Sequence, residues 1–115
     1  MEKRARKEGL RLFGTPARSR TLLAIALLEQ TYLRELARVA GVPFMSIVRI
    51  VDDLQEQGVV STLMRGTQRT VTLNSAYFAF REIRDLLVRL APTEPLIVEA
   101  IEALRRRPRR RGKEI

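Results

Sequence analysis

The chain has 115 residues, enough for one domain with a modest hydrophobic core. It contains no cysteine and no histidine, which excludes a disulfide scaffold and any metal site built from thiolates or imidazoles. The formal net charge of +9 at pH 7 favours a polyanionic partner.

The positive charge is concentrated at the two ends of the chain. Residues 1–20 hold 7 basic and 2 acidic side chains, and residues 105–115 hold 7 and 1. Nucleic acid is the simplest partner, because cations that neutralise phosphates release counterions. An anionic membrane is the competing partner, but neither end forms an amphipathic basic helix, so we expect no membrane binding. A third interpretation is that both ends are solvated and only aid solubility.

The first part of the chain predicts an arm and a buried helix. Residues 1–14 form a basic N-terminal arm. Its charged part, residues 1–9, either follows phosphates and a minor groove or is only a disordered terminus, and Leu10, Leu12 and Phe13 add a short packed segment. The apolar run TLLAIALLE follows. It resembles a secretory signal, but no small-residue cleavage site comes after it, and a bilayer needs about 20 apolar residues. We therefore expect a buried helix ending near Gln30.

Residues 32–73 predict a helix, a tight turn, a second helix and a hairpin. The first helix is YLRELARVAG, and Gly41 ends it because glycine adopts the left-handed conformation readily. The second helix spans about Pro43–Gln57, since proline fits the first helical turn. Two strand-like runs joined by RGTQ then make a hairpin over about Val59–Leu73.

This region resembles the winged helix-turn-helix domains of ArsR/MarR-like bacterial transcription regulators. The resemblance covers roughly residues 21–90 and rests on L-x-x-L-A-x-x-A-G-V, a helix ending L-x-x-x-G-V-V and a wing closing on L-N. It implies a mainly α fold with a small β-hairpin wing, in which residues 15–90 hold the three-helix core, the wing and the following helix. It also implies a bacterial or archaeal transcription regulator that binds double-stranded DNA, and we expect a repressor. The lack of cysteine fits a reducing cytoplasm, and we expect a homodimer on the nucleoid. Without cysteine or histidine, we expect neither a metal nor a cofactor.

The outer face of the second helix is the predicted base-reading surface. We expect Ile47, Val48, Val51 and Leu54 to point inward. We expect the acidic residues near the helix end, Asp52, Asp53 and Glu56, to face away from the groove. The predicted base readers are Phe44, Met45, Ser46, Arg49 and Ile50. Arginine pairs with guanine O6 and N7, and the apolar side chains contact a thymine methyl group. Alternatively, Phe44, Met45 and Ile50 form a hydrophobic patch that binds another protein.

The hairpin tip and the C-terminal tail are the predicted contacts to the DNA backbone or minor groove. The residues are Arg65, Thr67, Gln68, Arg69, Arg105, Arg106, Arg107, Arg109, Arg110 and Arg111. The tail, residues 105–115, resembles a minor-groove AT-hook, but Arg107 replaces the glycine that lets the backbone lie flat in the groove. We therefore expect a nonspecific DNA-affinity arm. A solvated hairpin turn is the alternative for the tip.

Two helices after the hairpin predict a dimer surface. Apolar residues repeat at helical spacing before Pro92 and again in the helix over residues 91–104. The predicted dimer residues are Phe80, Ile83, Leu87, Leu90, Ile97, Ile101 and Leu104. Alternatively, these helices fold back onto the core of the same chain.

The sequence also bears on three other function classes: an enzyme, a protein-binding adaptor, and a basic protein that associates with the nucleoid or with RNA. An enzyme is not expected, because no histidine, cysteine or phosphate-binding glycine loop is present. A protein-binding adaptor and a basic nucleoid- or RNA-associated protein are the alternatives to a regulator. The sequence specifies neither an operator nor a small-molecule effector.

Overall fold

A computed structural model describes residues 10–106 and contains five α-helices and one three-stranded antiparallel sheet in that range. The helices are α1 (Pro16–Leu28), α2 (Leu33–Ala40), α3 (Phe44–Glu56), α4 (Phe80–Arg89) and α5 (Pro95–Arg106). The strands are β1 (Thr31–Tyr32), β2 (Val60–Arg65) and β3 (Gln68–Leu73), and a 3₁₀ turn spans Ala91–Thr93. The predicted mainly α fold with a hairpin wing is confirmed.

Helix α1 is the centre of the core. The Thr15 hydroxyl accepts a hydrogen bond from the Arg18 amide at 3.1 Å and caps the helix N-terminus. Leu23, Ala24 and Ile25 are consecutive and fully buried. Helix α1 is therefore covered by other elements on several sides and does not bury only one amphipathic stripe. The apolar run is therefore a buried helix, as predicted. Within residues 10–106, no helix combines the length and apolarity needed to cross a bilayer.

The turn between α2 and α3 has the predicted geometry. Gly41 adopts φ 68° and ψ 39°, and its amide donates to the Ala37 carbonyl at 3.0 Å. Val42 is 4% exposed and fills the corner between the two helices. The Arg20 guanidinium donates from Nε to the Ala40 carbonyl at 3.0 Å, so α1 satisfies one of the free carbonyls at the end of α2.

The sheet has the strand order β1, β3, β2. Strands β2 and β3 pair from Val60 opposite Leu73 to Arg65 opposite Gln68, and the turn between them is Gly66 and Thr67. Gly66 has φ 65°, the conformation that a two-residue hairpin turn needs. Strand β1 was not predicted because it is only two residues long. It joins the sheet to the start of α2, which fixes the hairpin relative to the helices.

Helix α4 begins at Phe80, and its N-cap residue is Ala79. Asn74 does not cap this helix. Its side-chain amide donates to the Gly58 carbonyl at 2.9 Å, and its side-chain oxygen accepts from the Ala76 amide at 3.0 Å. Asn74 therefore stabilises a turn after β3 and ties it to the end of α3.

Candidate nucleic-acid interface

Helix α3 places one apolar stripe in the core and leaves the opposite face open. Ile47 and Val51 are fully buried and Leu54 is 1% exposed. Ile50 is half-buried and packs against the same core, whereas Val48 is not part of it. The inward stripe thus has the spacing i, i+3, i+4, i+7. Val48 was predicted to point inward and Ile50 outward, and both predictions were wrong. Residues 47, 50, 51 and 54 cover a narrower arc of the helix surface than residues 47, 48, 51 and 54, and this narrower stripe packs on the core.

The five predicted base readers occupy different environments. Met45 is 61% exposed, and Arg49 is exposed on the same face, one turn later. Ser46 is half-buried at the side of this face. Phe44 is half-buried, and Ile50 packs on the core, so neither belongs to the leading face. For the same reason, Phe44, Met45 and Ile50 do not form the single exposed patch that a protein-binding adaptor would need.

Two arginines on α2 extend the exposed basic surface next to α3. Arg34 and Arg38 are exposed and four residues apart, so they lie on one side of the helix. The Arg34 guanidinium lies 4.6 Å from the centroid of the Phe44 ring, in a cation–π contact at the start of α3. Arg34 and Arg38 were not among the predicted DNA contacts, although their spacing on the polar face of a short amphipathic helix was a usable signal.

The wing, residues 60–73, is joined to α3 by side-chain contacts. The Arg69 guanidinium donates to Asp52 Oδ1 at 2.7 Å and to Gln55 Oε1 at 3.0 Å. Thr62 Oγ1 donates to the same Gln55 oxygen at 2.8 Å. Arg69 was expected at the tip as a backbone contact, but the structure turns its guanidinium toward α3. These contacts set the angle between the wing and the helix.

The tip of the wing is open to solvent. Arg65, Thr67 and Gln68 are exposed, as the predicted backbone contacts require. Leu63 and Met64 are 60% and 59% exposed on the strand just before the tip. The tip therefore presents the exposed guanidinium of Arg65 and the polar side chains of Thr67 and Gln68 next to an exposed apolar surface.

Two acidic residues on α3 are each paired with an arginine from another element. Asp52 pairs with Arg69 of the wing, and Asp53 Oδ2 lies 2.8 Å from an Arg18 guanidinium nitrogen of α1. The Asp52 and Asp53 side chains are 58% and 49% exposed, so each pair contributes only about 0–1 kcal/mol of stability. Their main effect is to orient side chains. Asp52 was expected to face away from the groove, but it lies on the face that carries Arg49.

Helices α4 and α5 bury much of the predicted dimer seam within one chain. Leu87, Ile97 and Ile101 are 0%, 2% and 4% exposed. The other four predicted dimer residues are half-buried: Phe80, Ile83, Leu90 and Leu104. The large apolar side chains that α4 and α5 leave exposed are not among the predicted dimer residues. They are Leu86, Val88 and Leu96. These outer positions are the large apolar side chains of α4 and α5 that a second chain can reach.

The predicted contacts in the C-terminal tail are only partly described. Arg105 donates to the Leu27 carbonyl at 3.3 Å, and Arg106 is exposed at the end of α5. Arg107, Arg109, Arg110 and Arg111 lie outside the described residues, as does most of the N-terminal arm.

A groove of about 840 Å³ opens between α1, the end of β3 and α4. Ile25, Phe80 and Val88 supply apolar walls, and Glu29 and Arg84 lie at its edge. Its lining includes none of the predicted DNA contacts. The α3 face and the groove are therefore separate features, and no ligand is assigned to the groove.

The arrangement of α2, α3 and the wing occurs in solved structures. A crystal structure of a cysteine-to-serine mutant of MarR from E. coli superimposes with a TM-score of 0.55, over 80% of this chain and 67% of that one, at 22% identity. The chain has the winged helix-turn-helix fold of MarR. A MarR-family transcriptional regulator from a Rhodococcus species matches this winged helix-turn-helix chain with a TM-score of 0.49 and 23% identity. That match covers 85% of this chain and 62% of the solved one.

The winged helix-turn-helix chain spans about two thirds of the length of each of those two proteins. No protein-family profile matches its sequence, and no curated protein matches it. The assignment therefore rests on the arrangement of helices and strands.

Proposed function

We propose that this protein is a sequence-specific transcription regulator that binds double-stranded DNA. In this proposal α3 is the recognition helix and lies in the major groove. The observation that carries it is the outer face of α3, where Met45 and Arg49 project from a helix whose opposite face is anchored by Ile47, Val51 and Leu54. To enter a major groove about 12 Å wide, a helix must pack firmly on its domain through one face and leave the opposite face exposed.

The surroundings of α3 suit the neighbouring phosphates. Arg34 and Arg38 lie on α2, and Arg65 lies beside the wing tip. In helix-turn-helix complexes the first helix of the pair crosses the DNA backbone, where α2 would lie. Thr67 and Gln68 add neutral donors at the tip. The basic ends of the chain supply further cations, which raise affinity for any sequence.

A homodimer would place two recognition helices on successive turns of one face of the duplex. Half-sites separated by about 34 Å suit such a dimer. The exposed apolar residues Leu86, Val88 and Leu96 on α4 and α5 are the positions we propose for the contact between chains. A cytoplasmic, nucleoid-associated location and a repressing role follow as parts of the same proposal.

The first test is duplex binding as a function of salt. A preferred duplex selected from a random pool should bind two chains, and log affinity should fall linearly with log salt concentration. If six or more cations contact phosphates, affinity drops about 1,000-fold or more between roughly 50 and 200 mM salt. Fluorescence anisotropy measures both quantities, and a single-stranded RNA of the same base sequence is the control. No duplex binding at low salt, or equal affinity for RNA, would contradict the proposal.

A further inference from the structure

Four of the side chains on the open face of α3 have the spacing i, i+3, i+4, i+7. They are Met45, Val48, Arg49 and Asp52. At about 100° per residue, these positions lie within an arc of roughly 100° on the helix surface. The recognition helix of homeodomains reads bases with four side chains at the same spacing. Asp52 therefore occupies a position from which a side chain reaches base edges.

The Asp52 carboxylate is exposed and held in one place. Its side chain is 58% exposed, and Oδ1 accepts from the Arg69 guanidinium at 2.7 Å. Arg69 lies on β3, which pairs along its whole length with β2, and its guanidinium is also hydrogen-bonded to Gln55. The ion pair engages Oδ1, and a carboxylate has a second oxygen that accepts hydrogen bonds. Arg69 thus orients the group without using its full accepting capacity.

The chemistry of a fixed carboxylate selects among the four bases. An ionised carboxylate only accepts hydrogen bonds. In the major groove cytosine presents its N4 amino group as a donor, whereas guanine presents N7 and O6 acceptors and thymine presents the O4 acceptor. A carboxylate is therefore attracted to cytosine and repelled by guanine and thymine, and on adenine it meets the N6 donor next to the N7 acceptor, which weakens the attraction. Arg49, one helical turn away, has the opposite preference and pairs with guanine.

We propose that Asp52 reads a cytosine N4 amino group in the major groove, one turn from the guanine contacted by Arg49, and that Arg69 is the positioning residue for its carboxylate. This inference rests on the proposed DNA-binding function. It gives the recognition helix two polar readers of opposite charge, and it predicts a preferred site that contains guanine and cytosine at neighbouring positions.

Asp53 provides a matched control for the test. It is the adjacent residue, carries the same charge and is also paired with an arginine, but its carboxylate is held by Arg18 of α1 and not by the wing, and it lies about 100° further round the helix from Asp52. Asp53→Ala and Asp52→Ala both remove one negative charge from α3. Both should raise the general affinity for duplex DNA, whereas only Asp52→Ala should change base preference.

The experiment is selection of bound duplexes from a random pool with wild type, Asp52→Ala, Asp52→Asn and Asp53→Ala. At one position wild type and Asp53→Ala should prefer cytosine, by about 5- to 100-fold in affinity. Asp52→Ala should lose that preference, and Asp52→Asn should shift it toward adenine, because asparagine pairs with adenine N6 and N7. The guanine preference assigned to Arg49 should persist in all four proteins, which also shows that the variants are folded.

The role of Arg69 is tested by Arg69→Ala in the same selection. A positioning role predicts that the cytosine preference weakens while the guanine preference is retained. If both preferences fall together, Arg69 acts only through the general structure of the wing, and that part of the proposal is overturned.

The outcomes separate this inference from the function on which it rests. If Asp52→Ala and wild type select the same bases, the Asp52 inference fails while the DNA-binding function stands. The inference also fails if Asp52→Ala and Asp53→Ala have identical effects, because the carboxylate then acts only as a negative charge. If wild type selects no duplex, both the function and the inference fail.

Discussion

Replacing Arg49 by alanine is expected to lower affinity for the preferred duplex by about 10- to 100-fold and to leave affinity for unrelated duplexes nearly unchanged. Arg49 is the exposed cation on the open face of α3 in the described part of the chain, and its guanidinium can donate two parallel hydrogen bonds to guanine. Losing them removes discrimination at that base pair. Competition binding with single-base variants of the selected duplex measures this loss.

Two matched substitutions define what Arg49 contributes. Arg49→Lys keeps the charge but loses the planar fork, so it should retain general affinity and still lose most of the guanine preference. Arg38→Ala removes one exposed cation from α2, and it should weaken binding to all duplexes by a similar factor. If Arg49→Ala instead behaved like Arg38→Ala, Arg49 would be a phosphate contact and not a base reader.

Removing residues 107–115 is expected to weaken binding to every duplex. The segment carries five basic residues and one acidic residue, and its removal leaves α5 intact. If two or three of these cations contact phosphates, the loss at about 100 mM salt is on the order of 100-fold, and the slope of log affinity against log salt falls by about 2–3. Anisotropy titrations across a salt series measure both quantities.

A variant in which the four tail arginines become lysines separates charge from shape. Phosphate neutralisation depends mainly on charge, so this variant should keep nearly the affinity and salt slope of the full chain. If the lysine variant lost as much affinity as the truncated chain, the tail would make arginine-specific contacts. If truncation changed base preference, the tail would take part in sequence reading, which the account does not predict.

The order of the elements was predictable because each carries a local signal. Gly41 and Gly66 mark turns with positive φ, and the apolar run over residues 21–28 predicts a buried helix. The MarR-like helix, turn, helix and hairpin followed from these signals in the correct order. Strand β1 gave no signal, since two residues are too few for an alternating pattern.

The site was less predictable because its geometry depends on contacts between elements. Periodicity alone allowed either Val48 or Ile50 on the inner stripe, and packing against the core decides for Ile50. The positions of Asp52 and Arg69 depend on an ion pair between residues 17 apart in the chain, with side chains from a helix and a strand. No local pattern encodes such a pair, so Arg69 was predicted at the wing tip and Asp52 was predicted to face away from the groove.

Chemical methylation of the bound duplex tests the central claim most directly, namely that α3 lies in the major groove. Dimethyl sulfate methylates guanine N7 on the floor of the major groove and adenine N3 in the minor groove. With the preferred duplex, wild-type protein should protect guanine N7 at the selected site, and Arg49→Ala should lose protection at one guanine. Tight, sequence-selective binding without any protection of guanine N7 would contradict the account.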